Sequence, residues 1–233
     1  GMIWIKRRDA AADWIVYHRE NITVSNGSTY NAHEGFAYLN RNTAFTTDSQ
    51  IWNNTAPTTT HFTVSSGTNV NASGGTYVAY LFAHNTDADS IIKCGGFSTG
   101  STAMQHGQYF DTEFGFEPTY ALFKGGNSTL VEWNVLDEKR GMGYNGYANN
   151  YNFSTAGINE NWNNTLSFRL MDKGFLLAPT SNQGDPFYNS KPYIYMVIKR
   201  AMAKATDVTG TLSGTSGSTN VFFPSSRVVS SST

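Results

Sequence analysis

The sequence is poor in cysteine, in charge and in long apolar runs, and each shortage removes a class of function. A single cysteine, Cys94, among 233 residues excludes an intrachain disulfide and any zinc site built from several thiolates. Its simplest role is that of a small buried apolar residue. Charged residues make up 14% of the chain, and 16 Lys+Arg against 17 Asp+Glu leave a net charge of -1. No basic field exists to gather phosphates by counterion release, so nucleic acid is not an expected partner. The nearest thing to a basic cluster, Lys6, Arg7 and Arg8, is offset by Asp9 and Asp13 and reads as a solvated strand end. No apolar run approaches the ~20 residues that span a bilayer, and the first residues lack the basic and apolar regions of a secretory signal. No membrane partner is therefore expected. Long amphipathic helices are also missing, with only Asp9 to Asp13 and Leu136 to Arg140 spaced for a helical turn.

What is present has the texture of β-structure. Aromatics reach 14%, and Gly, Ser, Thr and Asn crowd the gaps between short apolar runs. The strongest signal is an internal repeat, which outranks any local reading. Ile3-Trp4-Ile5-Lys6 followed by Trp14-Ile15-Val16-Tyr17-His18 corresponds to Ala121-Leu122-Phe123-Lys124 followed by Trp133-Asn134-Val135-Leu136-Asp137. The offset is 118 at the lysines (124 − 6) and 119 at the tryptophans (133 − 14). Trp52-Asn53-Asn54-Thr55 recurs as Trp162-Asn163-Asn164-Thr165, Phe62-Thr63-Val64 matches Phe175-Leu176-Leu177, and Tyr77 to Phe82 matches Tyr193 to Ile198. The order is kept, and equivalent positions are expected for each block.

The blocks alternate like strands or run apolar like central strands, with Asn26-Gly27-Ser28, Asn71 to Gly75 and Ser181 to Pro186 as turns. The expected fold class is all-β: two tandem related jelly-roll-like β-sandwich units, residues 1–86 and 87–203, and a C-terminal tail, 204–233. The second unit carries leading strands around Ile91 to Cys94 and Gln108 to Asp111, whereas the first begins directly on its first matched block. An open sheet edge in the first unit follows from that difference. In the tail, a flexible Thr209 to Ser218 linker precedes Val221, Phe222, Phe223 and Pro224, an apolar peptide suited to docking on another subunit.

Met2 to Asp9, Trp14 to His18, Trp52 to Thr58 and Asn71 to Tyr80 together resemble a repeated, uncharacterised domain of marine bacteriophage virion proteins. The resemblance covers most of Gly1 to Ala201 and is closest in the first unit. It implies a concanavalin-like, lectin-like sandwich, units arranged in series in a longer chain, and a place on the surface of the virion. It brings no catalytic residues. The second unit has Gly125-Gly126 where the first has Arg7-Arg8, so the basic motif is not a shared site.

Two functions are carried forward. The first is a virion structural protein, a fibre, decoration or appendage module whose partners are copies of itself or other virion proteins. The second is a carbohydrate-binding module that recognises a host surface glycan. Tyr144, Tyr147 and Tyr151 with Asn149 and Asn150 form the stretch most suited to stacking on sugar faces, and their plainer reading is a loop that packs. The repeated tryptophans are expected in core or rim packing. Asp87 and Asp89 have hard oxygen ligands for calcium, although a solvated linker explains them as well. No two of the five histidines share metal-ligand spacing on one element, and His18 is matched by Asp137 across the repeat. No catalytic residue, metal or cofactor is expected, and the chain is not read as an enzyme.

Overall fold

The structure is a computed structural model that describes residues 1–21, 23–25, 28–87, 90–99, 114–125, 133–137, 150–154, 160–163, 168–171, 174–177 and 191–199. For residues 23–25, 150–154, 160–163, 168–171 and 175–177 the description is of backbone alone. Strands dominate. In chain order they are β1 (Met2–Arg7), β2 (Trp14–His18), β3 (Thr23–Ser25), β4 (Ser28–Tyr30), β5 (Gly35–Tyr38) and β6 (Thr46–Thr47). Two short helices follow, α1 (Ser49–Trp52) and α2 (Thr68–Asn71), and then β7 (Tyr77–Phe82) and β8 (Ile92–Ser98). The later strands are β9 (Pro118–Gly125), β10 (Asn134–Asp137), β11 (Asn150–Ser154), β12 (Glu160–Asn163), β13 (Phe168–Met171), β14 (Gly174–Leu177) and β15 (Pro192–Lys199).

Two sheets organise them, in the orders β6-β5-β2-β1-β7 and β12-β11-β10-β9-β15-β8. Position for position the two orders are the same, and β8 is the one addition. The register repeats as well. Ile5 pairs with Ile15 on one side and Ala79 on the other, and Phe123, its counterpart, pairs with Asn134 and Tyr195. Met2 lies between His18 and Phe82, and Tyr120 lies between Asp137 and Ile198. A one-residue slip would turn every side chain to the opposite face, so matched register means matched faces. Gly1–Lys199 form one compact unit.

Each sheet has two apolar faces because its central strands are apolar at nearly every position. The faces of the two sheets that carry Met2, Val16 and Ala37 on one side and Cys94, Leu122, Val135, Ile194 and Met196 on the other share one buried cluster, which includes the fully buried Trp133. Ile3, Ile5, Ile15, Tyr17 and Phe36 point the opposite way and are covered by Ile51 and Trp52 of α1 and Val70 of α2. On the far side of the second sheet, Ala121, Phe123, Tyr193 and Val197 lie under Phe114 and Phe116. The result is two sheets and three apolar layers.

The two halves of the repeat meet as two sheets over one shared layer, because each sheet has an apolar face to cover and the other sheet covers it. Three expectations need correction. Trp52-Asn53-Asn54-Thr55 and its twin are not equivalent: Trp52 ends α1 and is buried, whereas Trp162 lies in β12. Asn53 and Asn54 adopt positive φ of 52° and 47°, which asparagine tolerates and which ends a helix. Phe62–Val64 likewise lies outside any strand, while Phe175–Leu177 is in β14. Helical turns were expected at Asp9 to Asp13 and from Leu136, but Leu136 is in β10 and the helices are at α1 and α2. Asp48, whose carboxylate accepts from the Gln50 amide at 2.8 Å, caps α1 and was the signal to read.

Polar contacts pin the shared layer. The Trp133 indole Nε1 donates to the Tyr38 carbonyl of the opposite sheet at 2.8 Å. The Lys124 ammonium, fully buried, lies 5.7 Å from the Trp133 ring centroid. His18 is buried with Nε2 2.9 Å from the Tyr195 carbonyl of the second sheet and Nδ1 accepting from the Glu20 amide at 3.2 Å. That pairing fixes a neutral ring, donating at Nε2.

Burial depresses the His18 pKa from 6.5 to about 3. The unfolded chain then binds more protons between those values, so stability is fully present above pH 6.5 and is lost as pH falls toward 3. Thermal unfolding temperature should fall through that window. His18→Leu should cost about 1–3 kcal/mol near neutral pH, because two partly buried backbone groups lose their partner, and should flatten the slope; an unchanged slope would remove His18 as its source. Cys94 is buried in the same layer and its thiol is pushed up to about 11, chiefly by burial. A thiol reagent should label Cys94 only at the rate of unfolding, and fast labelling of the native protein would contradict that placement.

Candidate interaction surface

The edge strand β7 carries two of the three large apolar side chains that are exposed among the described residues. It pairs with β1 along its whole length, Met2↔Phe82 to Arg7↔Tyr77, with no irregularity, and among the described residues no strand pairs with its other side. Its counterpart β15 is paired on both sides, to β9 and to β8. The consequence shows in the side chains. Leu81 is 64% exposed and Tyr80 47%, whereas the residues in their places on β15, Val197 and Met196, are 0% and 2%. Apolar residues that belong in a core position are here turned to solvent. Tyr80 leans on its neighbours across the inner face, its ring 6.0 Å from Trp14 and 6.4 Å from Trp4.

At the end of β7 lies a cavity of about 350 Å³ whose floor includes Met2, Leu81 and Phe82 and whose wall is the Thr58–His61 turn. The turn is held by the Thr58 hydroxyl, 3.0 Å from His61 Nδ1, and by the His61 amide donating to that hydroxyl at 3.0 Å. Just past β7, His84 accepts from the Cys94 amide of β8 at 3.2 Å through Nδ1. Burial, then the nearby Arg19, lowers the His84 pKa. That bond brings the end of β7 against the middle of β8.

A second, polar cavity of about 310 Å³ is lined by Tyr30, Glu34, Thr47, Asp48, Ser49 and Asn54. Two of its carboxylates are partly committed, Asp48 to the α1 cap and Glu34 to the Asn31 amide and side chain at 2.7 and 2.8 Å. Those bonds hold the Glu34 pKa below its usual value.

The residues singled out from sequence fare unevenly. Tyr144, Tyr147 and Asn149 lie outside the described residues, as do Val221, Phe222, Phe223 and Pro224. Asn150 and Tyr151 open β11, opposite Asn163 and Trp162, and their side chains are not described. Asp87 is exposed and Asp89 lies outside the description. Among the described residues no group of three or more His, Cys, Asp and Glu is placed to hold a metal. Trp52 and Trp133 are buried in the core, as packing predicts, while Trp4 and Trp14 are partly buried. In the basic run Arg7 is ion-paired with Asp9 at 2.9 Å and the Lys6 ammonium donates to the Ala12 carbonyl. Sequence reasoning missed both cavities. The polar one is assembled from four separate segments, so no local motif announces it.

No curated protein and no solved structure matches this chain. A family model matches residues 1–201, which spans both sheets, and the chain belongs to that family, described as Domain of unknown function (DUF7483).

Proposed function

We propose that the chain is a bacteriophage virion structural module, a fibre, decoration or appendage element that works in assembly and display at the particle surface rather than as an enzyme. The observation that carries the reading is the uncovered apolar edge at β7: the most accessible apolar surface of the described residues is a strand edge, and strand edges recruit polypeptide. The finer architecture that goes with it is a pair of jelly-roll-derived, concanavalin-like units divided near residue 86, with residues 204–233 as a docking tail. Support for the pair is the common strand order and register of the two sheets. Its partners are other copies of itself or other virion proteins.

A carbohydrate-binding role is the second reading, and the polar cavity favours it. An aromatic ring at Tyr30 beside hydroxyl, amide and carboxylate groups is the combination that stacks on a sugar face and ties its hydroxyls.

Antibody raised against this chain should label the surface of intact phage particles in electron micrographs, and particles that never bind it would overturn the structural reading. On an array of bacterial envelope glycans, the carbohydrate reading expects binding that Tyr30→Ala or Tyr147→Ala weakens by about tenfold, the scale of one lost stacking contact. A blank array would leave the structural reading alone, and release of shortened polysaccharide in a depolymerase assay would make the chain an enzyme.

A further inference from the structure

We propose that the open edge of β7 pairs antiparallel with the same edge of a second copy of this chain, about a two-fold axis that passes through Ala79. The inference rests on the assembly reading above and names its partner and contact.

Hydrogen-bond parity tells which atoms of the strand are free. The Arg8 amide donates to the Thr76 carbonyl at 2.8 Å, and in an antiparallel pair the bonded residues alternate along the strand. Val78, Tyr80 and Phe82 therefore direct their N–H and C=O groups to β1, while Tyr77, Ala79 and Leu81 direct theirs away from the sheet. Among the described residues nothing bonds those outward groups, and Ala79 and Leu81 are exposed. In the other half the Lys199 amide donates to the Ile91 carbonyl at 2.8 Å, so the matching Tyr193, Tyr195 and Val197 direct the same groups to β8. One strand plan fills these positions in one sheet and leaves them open in the other.

Three observations choose a second copy, and this same edge of it, as the occupant. First, the strand matches its own reverse. With Ala79 opposite Ala79 of the second copy, Leu81 meets Tyr77 and Tyr80 meets Val78, apolar against apolar at every position. The Tyr77 ring is already fixed as a surface for the incoming leucine, its hydroxyl donating to the Thr68 carbonyl at 2.8 Å. Second, β7 has no charge and no proline and its pairing to β1 has no bulge, so it lacks the devices that keep an edge from pairing with itself. Third, the other edges of the two large sheets offer no match. β6 is two residues long, and β12 is four, with Glu160 and two asparagines among them. The outward side of β8 is taken within the chain, by His84 on the Cys94 amide and by the Ser90 hydroxyl on the Ile92 carbonyl. Because the outward residues are centred on Ala79, the axis there gives every outward N–H of one copy a C=O of the other. The contact is isologous, so it closes at two copies.

The test is sedimentation velocity on the full chain over a wide concentration range, comparing wild type with Ala79→Lys, Ala79→Glu and an equal mixture of the two variants. Wild type is expected to pass from monomer to dimer as concentration rises. Residue 79 faces itself across the axis, so each variant alone sets like charges opposite and should weaken the dimer by about tenfold. The mixture should restore it, because lysine then faces glutamate, and restoration also shows that neither variant had unfolded. Two weakened variants whose mixture stays monomeric would place a different segment against β7 and overturn the proposal. Self-association that neither substitution moves would refute this contact and leave the assembly reading standing. A wild-type monomer at every concentration would refute the contact too, with the assembly reading then decided by the labelling of particles.

Discussion

The apolar layer between the two sheets is the constraint on which the rest of the molecule depends. Each sheet is built from strands apolar on both faces, and neither could stand alone with Met2, Val16 and Ala37, or with Leu122, Ile194 and Met196, facing water. Hydrophobic burial closes the sheets but does not set their angle or register, being non-directional. The directional contacts do that: His18 to the Tyr195 carbonyl and Trp133 to the Tyr38 carbonyl join strands of opposite sheets at two separate places. Both groups are buried, so a slip would strand a donor or an acceptor in an apolar medium and cost more than either bond contributes.

Once the inner layer is fixed, the outer faces need separate solutions, and the two halves differ in theirs. The first sheet is covered by α1, α2 and the segment around Phe62 and Val64. Over the second lie Phe114 and Phe116, with β8 extending the sheet beyond β15. The same strand plan therefore serves two surroundings. In one the last strand is paired on both sides, and in the other, among the described strands, it is an edge. Gly95 of β8 shows how close that extra packing is, since a Cβ there would come within 2.3 Å of the Tyr195 hydroxyl across the pair. Burial of that ring pushes the Tyr195 pKa up to about 12, and the equivalent position on β7 has no ring, since Ala79 takes the place of Tyr195.

Much of the fold was legible because it rests on period and order. The strand blocks beginning at Ile3, Trp14 and Tyr77 and their counterparts found their places, down to residue-by-residue register, since alternation and apolar runs are local properties of a strand. The unequal leading strands gave the open edge of the first sheet. Where reasoning failed, it leaned on letters instead of pattern. Trp-Asn-Asn-Thr is identical in both halves yet ends a helix in one and lies in a strand in the other, because asparagine accommodates a left-handed turn as readily as a sheet pairing. The closure of the halves over a common layer was not legible, since an apolar face says that it must be covered and not by what. The cavities escaped for the same reason: their walls come from segments brought together only by the tertiary fold.

The end of β7 gathers more than an unpaired edge. The cavity walled by Thr58 to His61 begins where Leu81 and Phe82 end, and His84 ties the following turn to β8. An added strand would thus meet backbone groups along β7 and, at one end, a recess with an apolar floor and a hydroxyl rim. In strand addition those two features divide the labour. The backbone bonds supply affinity for any extended chain, and a recess for one side chain selects among them. On β15 the comparable selection is made by a solid surface, Tyr193 stacked on Phe97 at 5.3 Å, which suits a permanent strand of the same molecule. An open recess beside an open edge suits a partner that arrives from outside.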